Sequence, residues 1–171
     1  MSATDKRATA REWTGLAVLA LPTLLISIDV SVILLALPRI SETLGADSAQ
    51  QLWIMDIYGF LLAGFLITMG TIGDRIGRRK LLMIGGAAFA AASVLAAFST
   101  SATMLIAARG LLGIAGATLS PSILALITNM FHDERQRGFA ISIWLTCFLG
   151  GMLLGPLVGG VMLEHFWWGA P

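Results

Sequence analysis

Apolar residues along this chain come in long uninterrupted blocks, not in the alternating or amphipathic patterns of water-soluble strands and helices. Five blocks approach or exceed the roughly 20 helical residues needed to cross a hydrocarbon core of about 30 Å. They run from Gly15 to Leu37, Leu52 to Ile72, Leu81 to Phe98, Met104 to Met130 and Gly138 to Leu163. In lipid, backbone polar groups must be satisfied within the segment. No block has the dyad alternation of a barrel strand, so each predicts a transmembrane helix. The first block exceeds the 7–15 residues of a signal-peptide core and carries Asp29, which favours a span over a cleaved leader.

The basic residues orient these spans. Nine of the 11 Lys and Arg lie on one side: Lys6, Arg7 and Arg11 before the first span, Arg75, Arg78, Arg79 and Lys80 between the second and third, and Arg135 and Arg137 between the fourth and fifth. Arg39 is on the other side and Arg109 is within a span. The positive-inside rule makes the rich side cytoplasmic. The expected architecture is an all-α membrane protein, with a cytoplasmic N-terminal tail over residues 1–13 and a five-helix membrane domain over 14–171. Five spans leave Pro171 outside, and Phe166, Trp167 and Trp168 read as an interfacial aromatic belt.

Composition agrees: of 171 residues, 57% are hydrophobic and 12% charged, against about 25% charged in an average soluble domain. Cys147 has no intrachain partner, and His132 and His165 lie in different connections, so neither a disulfide nor a His or Cys metal cluster is expected. No nucleophile–base pair or phosphate loop is present, which argues against an enzyme. The basic residues belong to short membrane-flanking loops, which argues against nucleic-acid binding.

Ionisable groups inside a span cost several kcal/mol, and three stand out: Asp29, Asp56 and Arg109. Counting from the span ends puts Asp29 about 12 Å, Asp56 about 6 Å and Arg109 about 8 Å inside the outer boundary. Facing a shared cavity, the two carboxylates would hold a proton or a cation; alternatively each is a satisfied structural group bonded to Ser31 or Tyr58. Arg109 has three readings: a chain snorkelling to the outer face, a buried group paired with a neighbouring helix, or a residue coupling proton movement. Gly110, Gly113 and Gly116 punctuate the fourth span, and Gly151, Gly155 and Gly159 form a stripe in the fifth beside Pro156. Such small-residue stripes let helices approach closely in lipid, and a packed hinge is the sharper alternative. Trp144 and Phe148 either line a cation site or pack.

Five stretches together resemble a known family. Gly70-Thr71-Ile72-Gly73-Asp74-Arg75-Ile76-Gly77-Arg78-Arg79-Lys80 resembles the motif G-x-x-x-D-R-x-G-R-R/K between helices two and three of the major facilitator superfamily. Asp29 and Ser31 followed by Ala36-Leu37-Pro38 are similar to the D-x-T/S…A-L-P pattern of helix one in its fourteen-helix drug:proton antiporters. Trp53, Asp56 and Tyr58 match their W-x-x-D-x-Y pattern in helix two, and Arg109 with Gly113 resembles R-x-x-x-G in helix four. Leu112 stands where many members carry Gln. The run from Gly151 to Gly160, including Gly155, Pro156 and Gly159, resembles the antiporter motif G-x-x-x-G-P-x-x-G-G of helix five.

The resemblance implies export of lipophilic cations, such as quaternary ammonium compounds and dyes, in exchange for protons by alternating access. No cofactor is expected; the proton motive force supplies the energy. Asp29 and Asp56 would be proton or cation sites, Arg109 a coupling residue, and Gly70, Gly73, Asp74, Arg75, Gly77, Arg78 and Arg79 a gating loop. A bacterial cytoplasmic membrane is the expected location. Members of this superfamily are built from six-helix halves, so five spans suggest an incomplete half. A non-transporting fragment and an uptake transporter for a metabolite remain the alternatives.

Overall fold

The computed structural model describes residues 8–165. The tail residues Lys6 and Arg7 and the aromatic residues Phe166, Trp167 and Trp168 lie outside the described residues. Five helices follow in order: α1 (Ala10–Leu44), α2 (Ser48–Ile76), α3 (Arg78–Ala97), α4 (Ala102–Met130) and α5 (Glu134–His165). All five are long and apolar enough to cross a membrane, and no strand occurs among the described residues.

Four of the five expected apolar blocks lie within a helix, and the third overruns α3 by one residue, Phe98; at most other ends the helices run past the blocks, several of them extended by polar caps. α1 begins at Ala10, not Gly15, because Thr9 and Glu12 form a capping box. Residues 10–13 are therefore helical. α1 also passes through Pro38 to Leu44, which moves Arg39 from a connection into the helix. Proline removes one helical hydrogen bond, but Ala36 and Ile40 on either side of it are buried against Ile54, Ala102 and Leu105, and this contact carries the helix onward. Gly45, at φ 62°, closes it in the left-handed conformation. Asp47 starts α2 by accepting from the Gln50 amide at 2.8 Å, and Ser101 starts α4. Pro121 and Pro156 lie inside α4 and α5 without ending them.

The expected loop from Gly70 to Lys80 is almost entirely helical. α2 runs to Ile76, α3 starts at Arg78, and only Gly77, at φ 97°, separates them. That dihedral is open to glycine and strained for other residues. Gly70 and Gly73 are inside α2 and serve no turn.

α4 is the central helix. It packs between α2 and α3 and touches α1, while α1 packs mainly along α5. Towards the basic end, Trp13 meets Phe131 edge-on with ring centroids 5.0 Å apart, and the Ala8 amide donates to Gln136 at 2.7 Å, so the start of α1 sits beside the α4–α5 connection. The outer surface is apolar: Ile67 is 83% and Leu153 80% exposed. A soluble monomer rarely shows such a surface. Lipid solvates it, and the chain is a multi-pass membrane protein.

Candidate functional site

The site is an ion pair deep in the bundle. Arg109, seven residues into α4, is 2% exposed. Its Nη1 donates to Asp29 Oδ2 of α1 at 2.8 Å, and its Nε donates to the Ile54 carbonyl of α2 at 3.3 Å. Its guanidinium carbon lies 4.9 Å from the centre of the Tyr58 ring. One side chain therefore ties α4 to both α1 and α2. Of the three readings of Arg109, snorkelling is excluded by this burial. The partner of Asp29 is Arg109 rather than Ser31 or Tyr58; the Ser31 hydroxyl instead bonds the Ser27 and Ile28 carbonyls of its own helix.

A cavity of about 660 Å³ opens beside the pair, between α1 and α3 with α4 beneath. Its walls are largely apolar, and its charged groups are Asp29 and Arg109. In such surroundings an ion pair is expensive to form and far more expensive to break by removing one partner.

Asp56 is not part of this arrangement. It is exposed on α2 and does not line the cavity. Ile54 and Tyr58, which face α4, are two residues away on either side, and two residues turn a helix by about 200°. Placement in the same half of the membrane thus left the two carboxylates on different faces.

Glycines set the spacing around the pair. A Cβ at Gly113 would collide with the Tyr58 carbonyl oxygen and sit 3.1 Å from Tyr58 Cα. Gly113 lies one turn beyond Arg109, so the R-x-x-x-G spacing lets α4 approach α2 closely enough for the arginine to reach across. On α5, a Cβ at Gly151 would meet the Ser27 hydroxyl, one at Gly155 the Ser31 hydroxyl and one at Gly159 the Val32 methyls at 3.1 Å. The stripe is the α1–α5 contact, and Ser27 and Ser31 are its counterparts. The four-residue spacing of these serines, equal to that of the glycines, was the signal in the sequence. In detergent, Gly155→Ala is expected to destabilise the protein by about 1–3 kcal/mol through overpacking. Gly150, with nothing within 4 Å, is the matched control, and Gly150→Ala should leave the melting temperature unchanged. Equal melting of both variants would contradict the packing.

At the basic end, Asp74 Oδ1 and Arg78 Nη2 pair at 2.6 Å across the Gly77 junction. Gly73 lies under this contact, since a Cβ there would be 3.0 Å from Arg78 Cδ. Arg75 and Arg79 are exposed, and Gly70 has open space beside it. Trp144 is tethered rather than free: its Nε1 donates to Thr23 Oγ1 at 2.9 Å, joining α5 to α1 beside a small cavity that Phe148 also lines.

Comparison with known proteins fits this architecture. Residues 19–171 match the Major Facilitator Superfamily. The chain is 56% identical over 164 residues to the multidrug efflux pump LfrA of Mycolicibacterium smegmatis, covering 96% of this chain and 32% of that protein. It is 45% identical over 160 residues to the methyl viologen resistance protein SmvA of Salmonella typhimurium, covering 94% and 32%. It is 33% identical over 158 residues to the puromycin resistance protein pur8 of Streptomyces alboniger, covering 92% and 31%. The chain thus spans about a third of the length of these curated relatives. With five apolar helices and a family match over nearly all of its length, the chain belongs to the major facilitator superfamily.

Proposed function

We propose that these residues belong to an exporter that moves lipophilic cations out of the cell in exchange for protons, drawing on the proton motive force. The observation that carries this reading is the Asp29–Arg109 pair, a buried arginine and a partly buried aspartate joining two membrane helices. A carboxylate with one counter-charge in a low-dielectric interior has two settings. Ionised, it holds the arginine; protonated, it releases the arginine to its remaining partners. A proton arriving at Asp29 therefore changes the contacts between α1 and α4, and a shift between two conformations requires such a differential contact. Each charge moved across the membrane adds about 2.3 kcal/mol per 100 mV of potential.

The other motifs take supporting roles. The Asp74–Arg78 pair at the cytoplasmic end serves as a gate contact, with Arg75 and Arg79 presented to a facing surface. The Gly151, Gly155 and Gly159 stripe with Pro156 serves as a packed hinge between α1 and α5. Asp56, exposed on α2, is the carboxylate available to a cationic cargo. The names of the relatives, a multidrug efflux pump and a methyl viologen resistance protein, support export and this cargo class.

The test is efflux of a monocationic dye from energised cells making the full-length protein. Asp29→Asn is expected to lose uncoupler-sensitive export down to the level of cells without the transporter. Wild-type export by this variant, still abolished by uncoupler, would remove Asp29 from the mechanism.

A further inference from the structure

We infer that the ring face of Tyr58, and not its hydroxyl, is a positioning element for Arg109 that sets the pH at which Asp29 takes up its proton; this rests on the exchange reading above. Tyr58 is 6% exposed, and its ring lies 4.9 Å from the Arg109 guanidinium carbon. Its hydroxyl is buried without a hydrogen-bond partner, seated where a Cβ on Gly116 would be 3.0 Å away. The tyrosine is thus held by the close approach of Gly113 and Gly116, and what it offers the site is its aromatic face.

The physical argument concerns the state in which Asp29 is protonated. Arg109 then keeps its charge and loses its counter-ion. The partners that remain are the Ile54 carbonyl and the Tyr58 ring, one helical turn apart on α2. A cation over an aromatic face is stabilised most when it is desolvated. The ring therefore stabilises the protonated state more than the ion-paired state and makes protonation easier. Weakening the ring's negative face should move the pH midpoint of transport to lower pH.

No other ionisable group described near the pair offers an alternative. α3 brings Gly86, Phe89, Ala90 and Ser93 to the cavity, none of which titrates in the working range. On α2, Asp56 is exposed away from the pair, and Asp74 and Arg75 are at the far end. α4 contributes Arg109 itself. Among the described side chains of α5, the ionisable groups are Glu134, Arg135 and Arg137 in its first turn, half-buried Cys147, and His165, bonded to the Val161 carbonyl, in its last turn.

The experiment replaces Tyr58 in the full-length transporter with phenylalanine and with phenylalanines carrying one, two and three ring fluorines. Fluorine drains the ring face while nearly preserving its shape, so the series varies the electrostatics with little effect on packing. The readout is the pH midpoint of dye efflux. Tyr58→Phe is expected to keep the wild-type midpoint. Successive fluorines are expected to move it to lower pH, by about half a unit to one unit across the series. A midpoint indifferent to fluorination, with a pH-responsive wild type, overturns the inference and leaves the exchange reading intact. Loss of the pH response in Tyr58→Phe also overturns it, by showing the hydroxyl to be the working group. A wild type whose efflux ignores both pH and uncoupler overturns the exchange reading and this inference with it.

Discussion

Arg109→Met is expected to be among the most damaging single substitutions in this chain, for stability and for transport together. The arginine is 2% exposed and its loss leaves Asp29 without a counter-charge beside an apolar cavity. Removing one partner of a buried pair typically costs about 3–5 kcal/mol. The side chain of Asp29 is 27% exposed, which screens part of that cost and brings the expectation to about 2–4 kcal/mol. Asp29→Asn should cost less, because Arg109 keeps the Ile54 carbonyl and the Tyr58 ring. The double variant Asp29→Asn/Arg109→Met has no charge left to strand and should recover much of the stability of the protein while exporting nothing. Thermal unfolding of the detergent-solubilised protein, run as a double-mutant cycle, measures this. A coupling energy near zero would mean that the pair is not closed in the working protein.

The spans were legible in the sequence and their ends were not, for a physical reason. Lipid demands about 20 apolar residues, and that signal survives any detail of packing. Ends are set by caps such as Thr9 with Glu12 and Asp47 with Gln50, which lengthen the helices beyond the lipid core. The apolar block ended at Leu37, but α1 continues through Pro38 to Leu44, with Ile40 beyond the proline buried. Asp29 and Arg109 were each conspicuous as charges in apolar surroundings. That they pair with one another was not, because 80 residues separate them and nothing local encodes which helices touch. Asp56 shows the converse error. Depth is readable from residue counts, but the rotation that turns Ile54 and Tyr58 toward α4 and Asp56 away is decided by packing. The glycines were readable as contact residues, whereas their counterparts, Ser27, Ser31 and the backbone of Tyr58, emerged only from the assembled bundle.

The backbone of Tyr58 makes Gly113→Ala the second severe substitution. At Gly155 the nearest obstacle is the Ser31 hydroxyl, which can rotate, with Ser31 Cβ at 2.9 Å and the Ile28 carbonyl oxygen at 3.3 Å behind it; at Gly110 it is the end of the Leu61 side chain, 3.0 Å from the added carbon. At Gly113 the obstacles are the carbonyl oxygen, Cα at 3.1 Å and carbonyl carbon at 3.2 Å of Tyr58, which cannot move without α2 itself moving. Relief requires α4 to withdraw, and withdrawal stretches the Arg109–Ile54 hydrogen bond, already 3.3 Å long, past a useful length. The ring of Tyr58 and the guanidinium separate in the same step. Overpacking commonly costs about 1–3 kcal/mol, and here the lost arginine contacts add to it. The expected order of destabilisation is Gly113→Ala, then Gly110→Ala, then Gly64→Ala, which meets nothing within 4 Å and should be silent. Dye efflux should follow the same order, because the alanine at Gly113 disturbs the ion pair one turn away while the alanine at Gly64 touches nothing. Melting temperatures that fail to separate Gly113→Ala from Gly64→Ala would mean that α2 and α4 are not in backbone contact at Tyr58, and the account of how Arg109 reaches its partners would fall with that contact.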